Sequence, residues 1–151
     1  MGKSCTFFGH RECPNSVKIK LRDTIINLIE NHAVEMFYIG HQGAFDAMVH
    51  SVLQELALKY PHINYAVVLS FLPQSSNSVS LIDYTDTMLP EGIESVPPRF
   101  AITWRNNWML KQADYVITYI THTWGGAAKF AEKAEKQRKI VINLPSTQSS
   151  R

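Results

Sequence analysis

Tyr115-Val116-Ile117-Thr118-Tyr119-Ile120-Thr121-His122-Thr123-Trp124-Gly125-Gly126-Ala127-Ala128-Lys129-Phe130 is the stretch on which the fold turns. Its opening residues are β-branched or aromatic without polar alternation, as in a strand covered on both faces. A polar turn with paired glycines follows, and then Ala127, Phe130, Ala131 and Ala134 recur at helical spacing. The same order stands earlier in the chain. A strand at 36–39 runs into Gly40-His41-Gln42-Gly43, and Phe45, Met48, Val49, Val52, Leu53, Leu56 and Tyr60 then mark a helix stopped by Pro61. Working outward, further strands are expected at 5–8, 65–71 and 139–144. A helix stripe of Leu21, Ile25, Leu28 and Ile29 follows the start signal Pro14-Asn15, and another helix runs over about 100–113.

Strand and helix in alternation predict a parallel sheet, because parallel neighbours need a crossover connection. Right-handed crossovers put helices on both faces, so the expected architecture is α/β, a doubly wound parallel sheet of about five strands. One domain is expected over 1–145, with a frayed Ser/Gln-rich tail at 146–151. The connection at 73–98 is far longer than the usual link of about 2–6 residues. It carries Pro73, Pro90, Pro97, Pro98, Asp83, Asp86, Glu91 and Glu94 and leaves the carboxyl end of the third strand. It reads as a lid-like insertion over the ligand end of the sheet, with a plain surface excursion as the alternative.

Composition bounds the class. With 151 residues, 45% hydrophobic and 19% charged, the chain is globular and the size of one domain. Fifteen Lys and Arg against thirteen Asp and Glu leave a net charge of +2, on which a nucleic-acid partner is not expected. Cys5 and Cys13 fit neither a disulfide scaffold nor a redox pair. No signal peptide or membrane span is read, so a soluble cytoplasmic protein without membrane partners is expected.

In an open parallel sheet, ligands lie outside the carboxyl ends of the strands. The residues there are Gly9-His10-Arg11, then Gly40-His41-Gln42-Gly43-Ala44-Phe45-Asp46, then Thr121-His122-Thr123-Trp124-Gly125-Gly126. Glycine turns that open into helices can offer unpaired N–H groups to a phosphate, at Gly40/Gly43 and at Gly125/Gly126/Ala127. Neither turn has dinucleotide-binding or P-loop spacing, and no cofactor is expected. Arg11, Arg99 and Arg105 are candidate anion forks. Arg105, between Trp104 and Trp108, is the most telling; its structural alternative is an ion pair with Asp114 or Glu132. Glu132 could serve as an acid or base, or merely pair with Lys136. Asp46 could accept from a sugar hydroxyl or cap its helix. His10, His41 and His122 all fall at strand ends, but spacing shows no convergence and no metal site is read. Trp104, Trp108 and Trp124 could stack on a base or pack the core.

Taken in order, Thr6-Phe7-Phe8-Gly9-His10-Arg11, Gly43-Ala44-Phe45-Asp46, Arg105-Asn106-x-x-Met109 and Trp124-Gly125-Gly126-Ala127 resemble the SLOG superfamily. This is the Rossmann-like group of the DprA/Smf, LOG and YpsA-like proteins, and the resemblance is nearest to the small YpsA-like members. It implies a Rossmann-like fold and a nucleotide or nucleotide-derived ligand at the glycine turns, bound by a sensor or binding module. The residues it marks are Gly9, His10, Arg11, Gly40, Gly43, Phe45, Asp46, Arg105, Asn106, Thr121, His122, Gly125, Gly126 and Ala127. LOG proteins are phosphoribohydrolases, and their P-G-G-x-G-T-x-x-E motif lies over Trp124 to Glu132. Gly125, Gly126 and Glu132 match, whereas Trp124, Ala128 and Lys129 replace Pro, Gly and Thr. In their R-K-x-x-M motif, Asn106 replaces Lys. The alternative function is therefore an N-glycosidic hydrolase of nucleoside monophosphates using Arg105 and Glu132. A DNA-processing accessory of the DprA kind is a third reading, disfavoured by the near-neutral charge. Self-association in the LOG branch implies a homo-oligomer.

Overall fold

The structure is a computed structural model describing residues 2–71 and 86–145. In chain order the elements are β1 (Lys3–Gly9), α1 (Val17–Asn31), β2 (Val34–Ile39), α2 (Gly43–Lys59), β3 (Asn64–Val68) and β4 (Thr87–Met88), followed by α3 (Ala101–Gln112), β5 (Tyr115–Tyr119), α4 (Gly126–Lys136) and β6 (Ile140–Asn143). Short 3-10 turns at Ile93–Ser95 and Pro98–Phe100 lead into α3.

The six strands form one sheet in the order β4-β3-β2-β1-β5-β6. Every pairing is parallel, with Cys5 opposite both Phe37 and Tyr115. The chain runs outward from β1 to β4 and then returns to lay β5 on the other side of β1. The order therefore reverses between β1 and β5. Successive strand residues point to opposite faces, and the core divides accordingly. Phe7 and Ile117 join Leu21, Ile25, Phe45, Val49 and Val52 under α1 and α2. Phe8 and Val116 join Met109, Leu110, Phe130 and Ala134 under α3 and α4. This two-sided burial is why the strands read as unbroken apolar runs.

The expected doubly wound α/β fold is the fold observed, with one strand more than expected. Thr87–Met88, within the stretch 73–98, pairs with Val67 and Val68 at the sheet edge. Residues 86–98 thus extend the sheet and feed α3. The rest of the lid-like expectation, and the tail at 146–151, fall outside the described residues. Two α4 positions also differ from expectation. Ala128, Phe130 and Ala134 are buried, while Ala127 and Ala131 stay partly exposed. Among the described residues, no helix is long and apolar enough to cross a membrane.

Candidate ligand site at the strand-order reversal

A cavity of about 670 Å³ opens at the carboxyl ends of β1, β2 and β5, where the strand order reverses. That volume falls in the range of roughly 300–1,000 Å³ common for small-molecule sites. Gly9, His10, Arg11, Gly40, Asp46, Arg105, Asn106, Thr121, His122, Gly125, Gly126 and Ala127 line it, all of them marked in the sequence. Of the residues that the resemblance marks, Phe45 and Gly43 do not line it, nor does Glu132 of the hydrolase reading, and each has a physical reason.

Phe45 is fully buried in the core between α2 and the sheet. Gly43 has φ +87°, and a Cβ there would lie 2.7 Å from Arg11 Cα, so this glycine serves chain packing behind the site. Glu132 is solvent-exposed and pairs with Lys136 at 3.9 Å. Helical phase explains its direction. Five residues past Ala127, at about 100° each, it sits about 140° around the helix from the cavity-lining side. The expected acid or base is therefore not at the site, and the structure supports the surface pairing.

The two glycine turns part company. At α2, Asp46 Oδ2 accepts the Gln42 N–H at 2.8 Å, and the Arg11 carbonyl accepts the Ala44 N–H at 2.7 Å. Amides expected for an anion are already used there. At α4, Gly125 takes φ +100° as N-cap, a conformation suited to glycine. The first bond back within this helix runs from the Lys129 N–H to the Gly125 carbonyl at 3.1 Å. The N–H groups of the turn before it have no intrahelical acceptor. A Cβ on Gly126 would meet nothing within 4 Å, so the approach to these amides is open. Arg11, exposed at the rim, forms no ion pair among the described residues.

Arg105 is 1% exposed, the largest fully buried side chain among the described residues. Its Nη1 donates to the Val68 carbonyl at 2.7 Å and its Nε to Asn106 Oδ1 at 2.8 Å. Neither acid expected as its ion-pair partner is its neighbour. The acid beside it is Asp46: from the place of a Cβ on Gly40, Asp46 Oδ2 lies at 2.8 Å and Arg105 Cζ at 3.6 Å. Burial pushes the Asp46 carboxyl up to about 6, against the opposing pull of the Gln42 N–H and the Arg105 charge. Burial likewise lowers the Arg105 guanidinium, with Asp46 opposing. Arg105 thus fixes the β3 end and places buried positive charge under the floor.

A raised carboxyl has a definite sign. Between the unfolded value of 3.8 and about 6, the folded chain holds a proton that the unfolded chain has lost. Asp46 therefore favours the folded state most at low pH, and that contribution falls as pH rises through this window. Asp46→Asn keeps an acceptor for Gln42 and removes the titration. Denaturation from pH 4 to 7.5 should show the variant gaining on the wild type by on the order of 2 kcal/mol. A difference constant across the window would show the carboxylate to be solvated.

The third wall is aromatic. His10 stacks on His122 with centroids 3.7 Å apart and planes at 12°, and His122 stacks on Trp124 at 3.6 Å and 16°. The Thr121 N–H donates to His10 Nε2 at 3.0 Å. Burial, and then the neighbouring His122, lower the His10 pKa. Cavity residues that the sequence reading did not mark are Phe7, Phe8, Glu12, Gln42, Ile102 and Met109. Ile102, Arg105, Asn106 and Met109 follow i, i+3, i+4, i+7 on α3, a signal that was available.

An all-parallel, doubly wound sheet with its cavity at the strand-order reversal defines a Rossmann-like α/β protein. No protein-family model and no curated protein matches the chain. Among solved structures it is similar to DNA processing protein A (DprA) from Streptococcus pneumoniae, with TM-score 0.64, 17% identity, and coverage of 93% of this chain and 49% of that one. It is also similar to DNA processing protein A from Helicobacter pylori, a structure described for its unique single-stranded DNA binding mode. There the TM-score is 0.56 at 18% identity, covering 92% of this chain and 63% of that one. The chain thus spans less than two thirds of either protein, and the likeness is one of fold. It corrects one expectation. A net charge of +2 was read against a nucleic-acid partner, yet this fold accompanies single-stranded DNA binding in the Helicobacter pylori protein. Net charge sums the whole surface and does not show where free cations stand.

Proposed function

We propose that the chain is a nucleotide-binding module of the YpsA-like kind, with the ligand phosphate on the N–H groups at the start of α4. The observation that carries this reading is the open Gly125-Gly126 turn facing a cavity of about 670 Å³. Unpaired amides and the positive end of the helix dipole attract an oxyanion. Arg11 at the rim adds a charge-assisted contact, and Asp46 is the acid within reach of a sugar hydroxyl. Arg105 acts through the field of its buried charge, since two of its nitrogens are already bonded to the protein. With Glu132 on the solvent face, N-glycosidic hydrolysis has no acid or base at the position that the resemblance implied.

The ligand is either a free nucleotide or the nucleotide unit of a single strand, the latter favoured by the likeness to the Helicobacter pylori protein. Calorimetry with nucleoside monophosphates, ADP-ribose and a short oligothymidylate tests the site. Gly126→Asp adds a carboxylate where a Cβ meets no neighbour. It should leave the thermal midpoint in place and weaken binding about a hundredfold or more through like-charge repulsion. Arg11→Ala should cost about fivefold to tenfold, as befits an exposed charged contact. Undiminished binding in Gly126→Asp, or no binding by the wild type to any of the panel, would remove the reading.

A further inference from the structure

We infer that His10, His122 and Trp124 form a platform for the planar heterocyclic base of the ligand, with the Trp124 indole as the ring in contact. This rests on the nucleotide reading of the cavity and assigns its base subsite. Trp124 is 70% exposed although it is a large apolar ring. It is nonetheless held in place, because His122 covers one face at 3.6 Å and His10 backs His122 at 3.7 Å. The last ring is anchored in turn, as His10 Nε2 accepts the Thr121 N–H and its edge meets Tyr119. An exposed indole fixed in orientation presents a π-face without further ordering cost, which is what stacking on a base requires.

A further observation supports a ligand beside this face. Ile102, reaching the same cavity from α3, is 45% exposed, so a second apolar side chain stands open at the mouth. The charged and titratable groups that share the cavity with His122 are His10, Arg11, Glu12, Asp46 and Arg105. None of them offers an aromatic surface as open as that of Trp124.

The test compares ligands with and without a base. Ribose 5-phosphate, AMP, dTMP and a short oligothymidylate are titrated into the wild type, Trp124→Ala, His122→Phe and His122→Ala, followed by calorimetry. The wild type should bind AMP about tenfold or more tightly than ribose 5-phosphate. In Trp124→Ala that ratio should fall towards one while ribose 5-phosphate binding stays as it was. His122→Ala should behave similarly, because it removes the support of the indole. His122→Phe keeps a ring in the stack and should retain most of the ratio. Oligothymidylate binding tighter than dTMP, with a steep salt dependence, assigns a strand as the source. Equal or weaker binding assigns the free nucleotide. An unchanged ratio in Trp124→Ala, with ribose 5-phosphate still bound, overturns the platform and leaves the phosphate site standing. Failure of every ligand to bind the wild type overturns both.

Discussion

Arg105→Met should destabilise the protein by about 3–5 kcal/mol, because it strips partners from buried polar groups and leaves Asp46 buried without its neighbouring charge. The side chain is 1% exposed and joins three parts of the molecule. From α3 it bonds the carbonyl of Val68 at the end of β3, bonds Asn106 on its own helix, and stands beside Asp46 from α2. Methionine fills similar volume but satisfies none of these groups, so the Val68 carbonyl loses its donor in a buried setting. At about 2–4 °C per kcal/mol for a domain of this size, the thermal midpoint should fall by about 10 °C. The loss should also depend on pH. Without the Arg105 charge, the Asp46 carboxyl rises beyond its already raised value and takes up a proton more readily. The variant should therefore recover part of its deficit on going from pH 8 to pH 5. In Asp46→Asn/Arg105→Met that recovery should vanish, and the paired loss should fall short of the sum of the singles by about 1–3 kcal/mol. Additive losses independent of pH would show the two groups to be uncoupled.

The legibility of this molecule in its sequence follows the range of the interactions involved. The sheet was readable because β1, β3 and β5 are largely buried on both faces, while β2 and the edge strand β6 are still mostly β-branched, aromatic or aliphatic. β4 was not, since two residues at an edge hold too little pattern to stand out from a polar connection. The location of the cavity followed from topology, because a parallel sheet brings all strand carboxyl ends to one side. Which amides remain open did not follow. That depends on Asp46 folding back onto Gln42 four residues earlier, where spacing left its role open, and on the Arg11 carbonyl meeting Ala44 from a loop far away in sequence. The Arg105 partner was hidden for the same reason, as Asp46 and Val68 come from separate strand–helix units. Glu132 is a different case, where helical phase within a single element already pointed it away from the cavity.

Gly9→Ala should destabilise the protein by about 3 kcal/mol, at the upper end of the overpacking range. The added Cβ would stand 2.2 Å from Phe45 Cδ2, 2.4 Å from Cγ and 2.9 Å from Cβ. A ring tip could swing aside, but a contact reaching Phe45 Cβ involves the part of the side chain fixed to the α2 backbone. Phe45 is fully buried and stacks on Tyr119 at 6.2 Å, so the ring has no empty space to enter. The strain should therefore spread to the β1–α2 packing and displace His10, the next residue and the base of the ring stack. Base-bearing ligands should lose affinity in Gly9→Ala although no ligand group is removed. In a Phe45→Ala background, already weakened by about 3–5 kcal/mol, the same Gly9→Ala change should cost less by about 1–2 kcal/mol, because the ring contacts at 2.2 and 2.4 Å are gone and only the 2.9 Å contact with Cβ remains. Chemical denaturation of the four proteins in this cycle gives the coupling directly. An equal cost of Gly9→Ala with and without the Phe45 ring would mean that β1 and α2 do not meet there, and Gly9 would return to being a residue that only shapes the cavity wall.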